Sequence, residues 1–200
     1  MTHPSTAELL VLHAVRVKGF TDTAAVARRF DLDPAMTHEE LLDAQARGWV
    51  TRSAFADLEG WSLTEAGRRR NETQLREELD TAGARADISA AHEEFLPLNT
   101  RAVRLFTAWQ LAPGTAPLGG GTDRAELHRR LAAIARELEH LERRLTARLL
   151  RFTGYHDRFA RALARAAADP IWITNVEVDS GHGVWFELHE DLTATLGIPR

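Results

Sequence analysis

Two segments, ARGWV at residues 46–50 and WSLTEAGR at residues 61–68, decide the fold of the first third of the chain. In the first segment a helix ends at Gly48, and the run WVT, which favours β-structure, follows. In the second segment the similar run WSL precedes Thr64-Glu65, a pair that is typical of a helix start. The sequence therefore predicts two short strands joined by a loop, Arg52–Gly60, with a helix on either side.

The residues before these segments predict three helices. Apolar residues of Thr6–Lys18 recur at helical spacing, and a glycine follows. A second, shorter helix is expected at Ala24–Phe30, after an aspartate and a threonine that can cap it. A third helix, Pro34–Arg47, begins with proline at its first position. A fourth, Thr64–Leu79, follows the strands, so the predicted order is helix, helix, turn, helix, hairpin, helix.

This order is that of a winged helix-turn-helix, and two of its segments carry a family resemblance. ARGWV and WSLTEAGR resemble the "a-R-G-L-V" and "L-T-x-x-G-R" segments of MarR-like regulators. In that family the first segment closes the recognition helix and the second leaves the wing. The resemblance covers about residues 6–80. It implies a winged-helix transcriptional regulator that binds DNA as a homodimer.

The resemblance implies DNA contacts from the third helix, the hairpin and their neighbours. The candidate contacts are Arg28, Arg29, Thr37, His38, Arg47 and Arg52. Arg28 and Arg29 are expected on an exposed helix face, where they either solvate the protein or contact backbone phosphate. On the third helix, His38 is the one plausible donor to DNA that faces outward, whereas Glu39 is repelled by phosphate. Residues 1–80 hold ten basic and fourteen acidic side chains, which departs from the family pattern.

Beyond residue 80 the chain predicts further helices. Two are expected between residues 81 and 111, separated near Pro97, and residues 112–122 (APGTAPLGGGT) are expected to form a flexible loop. Helices are then predicted at Arg124–Phe152, Asp157–Ala168 and Val184–Leu196, with an extended stretch at Ile171–Val178. The predicted fold is therefore mainly α, with an N-terminal winged helix-turn-helix domain (1–80) and a C-terminal helical domain (81–200).

Three segments of the second part carry a resemblance of their own. FLPLN at residues 95–99, TAWQL at 107–111 and VWFELHEDL at 184–192 are similar to a helical segment of winged-helix proteins from GC-rich bacteria. A similar segment accompanies some phosphoenolpyruvate-utilising, dikinase-like enzymes. The resemblance implies a helical fold and no activity.

The longest predicted helix carries a heptad-like apolar seam. Its members are Leu127, Leu131, Ile134, Leu138, Leu141, Leu145 and Leu149. Such a seam either pairs with its copy in a dimer or packs inside its own helical domain. The resemblance to MarR-like proteins favours a homodimer.

Aromatic and polar residues of the second part are candidates for an effector pocket. An apolar pocket with a few polar groups is the usual composition of a small-molecule site. The candidates are Asn99, Arg101, Trp109, Gln110, His182, Trp185, Glu187 and His189. No cofactor is predicted, because the chain has no GxGxxG motif and its GGG at residues 119–121 lacks the Lys-Ser/Thr of a phosphate-binding loop.

Two histidines near the end of the chain raise the question of a metal or catalytic centre. His182 and His189 are two helical turns, or about 10 Å, apart, so they cannot hold one metal without a ligand such as His92, Glu93 or Glu94. Neither a metal site nor a catalytic residue is predicted. An enzyme that uses His182, Glu187 and His189 stays open as an alternative reading.

Composition narrows the functional classes. The chain has no cysteine, which excludes disulfides, thiolate metal sites and cysteine nucleophiles. It has a net charge of −4, no run of 18 apolar residues and no basic-then-apolar start, so a cytoplasmic protein without a membrane partner is expected. The leading interpretation is a ligand-responsive, dimeric regulator. The alternative is a winged helix that does not bind DNA and serves as a module for a partner or a small molecule.

Overall fold

The computed structural model describes residues 2–55, 58–112, 124–176 and 178–199. Over these residues the chain is mainly helical, with nine α-helices and one pair of antiparallel strands. Two compact units are present. Unit 1 comprises the residues up to Arg85, Arg148–Arg151 and the residues from Glu190, and unit 2 comprises Ala86–Ala147 and Phe152–His189. Within the described ranges, no helix combines the length and the apolar character needed to cross a membrane.

Unit 1 begins with three helices, a hairpin and a fourth helix. Their bounds are α1 Ala7–Lys18, α2 Thr23–Phe30, α3 Pro34–Ala46, β1 Val50–Phe55, β2 Leu58–Leu63 and α4 Glu65–Thr81. Each of the four helices has a side-chain cap at the residue before it, supplied in order by Thr6, Asp22, Asp33 and Thr64. These caps satisfy backbone N–H groups that have no partner within the helix, and this is why the sequence located the helix starts well.

The main apolar core of unit 1 brings its first three helices and the two strands together. Buried residues from α1, α2, α3 and the strands form one apolar cluster, with members that include Leu12, Val15, Val26, Leu41 and Trp61. The Trp61 indole donates to Thr23 Oγ1 at 3.0 Å, and the Trp61 backbone pairs with that of Thr21 in both directions. The segment between α1 and α2 is therefore joined to β2 as a single-residue third strand.

The hairpin is longer than the sequence predicted. Pairing continues from Val50 and Leu63 to Phe55 and Leu58, so most of the stretch Arg52–Gly60, predicted as a loop, is strand. The prediction was wrong because Arg52, Ser53 and Ala54 are exposed and give no alternation of apolar and polar residues. When both faces of a strand are exposed to solvent, its backbone pairing produces no hydrophobic pattern in the sequence.

Unit 2 is built from long helices. The elements are α5 Arg85–Leu111, α6 Arg124–Thr146, a 3₁₀ turn at Leu150–Phe152, α7 Tyr155–Ala166, α8 Ile171–Thr174 and α9 Gly181–Leu196. Arg85, residues 150–151 of the turn and the residues of α9 from Glu190 belong to unit 1. The apolar seam of α6 is buried throughout, and α6 packs on α7, so the seam serves the chain's own core.

Three predictions for the second part of the chain were wrong. A single helix passes through Pro97. Proline has no N–H, so the Glu93 carbonyl loses its partner within the helix, but Pro97 and Glu93 are both exposed and water can take the place of that partner. The α6 helix ends at Thr146 and a 3₁₀ turn replaces its predicted last turn. Residues 171–174 are helical, not extended. Of the loop predicted at residues 112–122, all but Ala112 lies outside the described residues.

Candidate functional site

The exposed face of α3 is apolar and acidic. Met36 and Leu42 are 62% and 38% exposed, and Glu39 and Asp43 are exposed beside them. The helix contains no lysine or arginine at any position from Pro34 to Ala46. A face of this composition repels nucleic acid phosphate, and it exposes more apolar surface than a solvated helix needs.

Two of the six candidate DNA contacts are buried. The Arg29 side chain is inaccessible to solvent and lies 4.0 Å from Asp191, so the expectation of an exposed Arg28–Arg29 pair holds for Arg28 alone. Thr37 is also buried, and its hydroxyl donates to the Asp33 carbonyl at 2.8 Å within the first turn of α3. Neither side chain is placed to reach a ligand at the surface.

The other candidate contacts lie at the surface, in local interactions. Arg47 donates to Glu8 at 3.3 Å and lies over the Trp49 ring. Arg52 forms an ion pair of 2.7 Å with Glu59 and lies over Trp61. The His38 ring meets Trp61 edge to face, at 6.5 Å between centroids.

A buried cluster of charged side chains lies elsewhere in unit 1. At its centre Arg151 donates from Nε to Glu78 at 2.8 Å, from Nη2 to the Thr195 hydroxyl at 2.7 Å and from Nη1 to Asp191. The His13 Nε2 lies 2.9 Å from Asp191 Oδ1. Every one of these five side chains is buried, so each charge requires the others as partners.

Electrostatics fix the protonation states in this cluster. Burial lowers the pKa of His13 and outweighs the attraction of Asp191, so the imidazole is neutral. Burial alone would raise the pKa of Asp191, but the Arg151 guanidinium and the His13 hydrogen bond hold it well below its usual range. A neutral imidazole that donates from Nε2 to Asp191 accepts at Nδ1. The Asn71 Oδ1 is placed 3.3 Å from Nδ1, and turning this amide by 180° brings its otherwise unpartnered nitrogen to the ring as the donor.

A second set of ion pairs continues the cluster toward the surface. Arg16 donates to Glu190 at 2.8 Å and to Glu72 at 3.1 Å, joining α1, α4 and the end of α9. The sequence reasoning missed this arrangement. Its one local signal was His13 on the apolar side of α1, since the partners come from segments up to 178 positions away.

An open cavity of about 360 Å³ is lined by residues of the segment 3–9 and by one face of α4. Its polar lining includes Glu8, Arg70, Gln74, Glu77 and Glu78. The residues before α1 are held over it because the His3 backbone pairs with Arg148 and Leu150 and the Ser5 hydroxyl donates to Glu78. Glu78 thus belongs both to the cavity wall and to the buried charge cluster.

The effector-pocket candidates of unit 2 pack against their neighbours. The Trp185 indole donates to Asn99 at 2.8 Å, and its ring stacks on Phe95 at 5.3 Å. His189 lies 5.7 Å from the Phe95 ring, and His182 lies 5.0 Å from the Phe106 ring, where burial lowers the pKa of His182. These contacts are those of core aromatic residues.

The remaining candidates are dispersed. Glu187 accepts from Arg158 at 2.7 Å, and Arg158 also donates to Asp179. Burial alone would lower the pKa of Arg158, but these two carboxylates raise it. Arg101 pairs with Glu137 on an exposed surface. Trp109 is buried and Gln110 is exposed. None of the eight candidates lines the 360 Å³ cavity, and in the described ranges no three His, Asp or Glu side chains converge as metal ligands do.

Neither the models of known protein families nor the curated proteins and solved structures compared with the chain give a match.

Proposed function

We propose that unit 1 is a winged helix whose third helix docks another protein instead of reading DNA. The order α1, α2, α3, β1, β2, α4 and the pairing of Thr21 with Trp61 support a winged helix, in which α3 takes the recognition position. The single observation that carries the docking function is the apolar and acidic face of α3 described above.

Charge argues against a DNA-reading role for this helix. Phosphate contacts dominate the affinity of proteins for DNA, and they need Lys or Arg at the contact surface. On α3 the side chains at that surface are Glu39, Asp43 and the apolar Met36 and Leu42. A phosphate backbone brought against this face meets carboxylates and no cation of the helix itself.

The same face suits a protein partner. Met36 is a flexible, polarizable side chain, a type often found at protein-binding surfaces, and Leu42 adds a branched apolar group about one and two-thirds turns away. Glu39 lies midway between Met36 and Leu42 on the helix, and Asp43 follows Leu42. These carboxylates would select a protein partner whose contact surface presents a basic group between apolar ones.

A second candidate, a dimeric and ligand-responsive DNA-binding regulator, is favoured by the exposed arginines beside α3. Arg28 on α2 and Arg68 and Arg69 on α4 present cations to solvent from helices of the same unit. In this reading they would hold backbone phosphate while α3 approaches the groove. An effector site in unit 2 would belong to the same candidate.

Site-specific photo-crosslinking in cells tests the docking function. A photoreactive residue in place of Met36 is expected to capture a defined protein. The same residue in place of Ile198, an exposed apolar position outside α3, serves as the control. The purified partner should bind the wild-type chain and should lose at least tenfold in affinity for Leu42→Glu. Capture of the same proteins from both positions, or unchanged affinity of Leu42→Glu, would contradict the proposal.

A further inference from the structure

The cavity beside α4 has a buried acceptor without a hydrogen-bond partner in its wall. Gln74 is only 6% exposed, and its Nε2 donates to Glu8 Oε1 at 2.7 Å. A carboxylate oxygen can only accept, so the amide nitrogen must face Glu8 and the amide oxygen must face away from it. That oxygen is buried and has no partner among the residues that the structure describes.

The charged groups of the lining leave one carboxylate uncompensated. Glu8 accepts from both Arg70 and Arg47, and Glu78 accepts from Arg151 and Ser5. Glu77 is exposed toward the cavity opening, and across the described ranges no ion pair or hydrogen bond reaches its carboxylate. The lining therefore combines three carboxylates with one guanidinium that is already engaged.

Gln74 and Glu77 are placed to act on one ligand. They are three positions apart on α4, so their side chains share a face of the helix, and both line the same cavity. A group that donates several hydrogen bonds and carries a positive charge would satisfy both side chains. It would pair with the Glu77 carboxylate and donate to the Gln74 amide oxygen.

We propose that this cavity binds a small organic cation through a primary ammonium or guanidinium group. The volume lies near the lower end of that of small-molecule sites. The carbon skeleton of the ligand would pack against Pro4 and Leu9, which also line the cavity. An anion would face three carboxylates, and Arg70 is turned to Glu8. This site is independent of the α3 face and of the function proposed for it.

Binding would also tie together the segments around the cavity. The residues before α1 form one wall of it, and Glu78 connects the opposite wall with Arg151 in the buried cluster. A ligand seated here bridges the first residues and α4, so it should raise the midpoint of thermal unfolding, by an amount that grows with the logarithm of its concentration above the dissociation constant.

Isothermal titration of the full chain tests the site with probes that have similar short carbon chains and different charge. The probes are 1,4-diaminobutane and 4-guanidinobutylamine as cations, n-butanol as the neutral analogue and glutarate as the dianion. Saturable binding of one equivalent, with a dissociation constant of about 1 mM or lower, is expected for the cations only. The Glu77→Gln variant should bind them about tenfold more weakly, because it removes the charge and little else.

Glu65→Gln is the matched control, since Glu65 is an exposed carboxylate on the same helix that does not line the cavity. It should bind as the wild type does. Gln74→Met, which removes the amide, should weaken binding as well, and a folding defect in that variant would leave the Glu77→Gln comparison intact. Absence of saturable cation binding, equal losses in Glu77→Gln and Glu65→Gln, or equal binding of glutarate would overturn the proposal.

Discussion

His13 Nε2 lies 2.9 Å from Asp191 Oδ1, and both side chains are wholly inaccessible to solvent. The pair joins α1 to the last turns of α9 within unit 1, across 178 positions of sequence. Arg151 donates to the same Asp191 oxygen and thereby supplies the charge that keeps it ionised. The distant segments of unit 1 are therefore joined by a buried polar cluster as well as by an apolar core.

Removal of one partner from this cluster should destabilise the protein strongly. Arg151→Met leaves Glu78 and Asp191 buried without their shared cation, and it should lower the free energy of unfolding by about 3–5 kcal/mol. Chemical denaturation followed by circular dichroism measures this loss. Arg76→Met, at an exposed position of α4, should change stability by less than about 0.5 kcal/mol. Similar stability of the two variants would show that the cluster is not coupled to folding.

Stability should fall on acidification, beginning near pH 6.5. The pKa of His13 is lowered in the folded state, so below its ordinary value of 6.5 the unfolded chain takes up a proton that the folded chain does not. Asp191, whose pKa is also lowered, adds a further loss once the pH falls through its ordinary value of 3.8. In the His13→Asn variant, stability should depend less on pH between 7 and 5 than in the wild type. An unchanged slope between these pH values would refute the assignment of a neutral, buried His13.

Gly67 should tolerate no side chain. A Cβ at this position of α4 would lie 1.9 Å from the Trp49 carbonyl oxygen. Both positions are fixed by the backbone, so no side-chain rotation can relieve the overlap. Gly67→Ala should therefore cost about 3 kcal/mol in unfolding free energy, although alanine normally favours a helix. Gly183→Ala is the matched control, because its added Cβ meets only the Ser180 hydroxyl, at 3.4 Å. A loss no larger for Gly67→Ala than for Gly183→Ala would argue against the close approach of α4 to Trp49.

The parts of the fold that the sequence predicted well are those with local causes. The capping residues Thr6, Asp33 and Thr64 hydrogen-bond within their own first turns, so helix starts could be located without knowledge of the rest of the chain. The long helix through Pro97 could not be predicted, because its continuation depends on which side of the helix faces water.

Features of the candidate sites could likewise be predicted where their causes are local in sequence, and not where they depend on distant residues. The composition of the α3 face is a local property and could be predicted once Leu41 and Ala44 were placed in the core. The burial of Arg29 depends on Asp191, far away in sequence, and an exposed pair with Arg28 was the natural expectation without it. The cavity could not be predicted either, since its wall combines α4 with a segment held in place by residues 148–150.

Charge reversal on α3 separates the readings of this helix. Glu39→Arg combined with Asp43→Arg replaces two exposed carboxylates by cations on the face that a recognition helix turns to DNA. If unit 1 is a winged helix, this variant should gain salt-sensitive affinity for duplex DNA. The matched control is Glu65→Arg combined with Asp80→Arg on α4, which makes the same change in net charge at exposed sites away from α3. A gain of equal size in the control would show that net charge, not the position of α3, determines DNA affinity.

The docking function predicts that the wild-type chain has no specific affinity for DNA. Fluorescence anisotropy with labelled duplexes from the region upstream of its own gene, and with duplexes of random sequence, should be measured at about 50 mM and about 200 mM salt. A docking helix predicts no sequence-specific binding at either salt concentration. Specific binding to the upstream duplex that weakens with salt and is lost in Arg28→Glu would contradict the docking function and would identify the protein as a DNA-reading regulator.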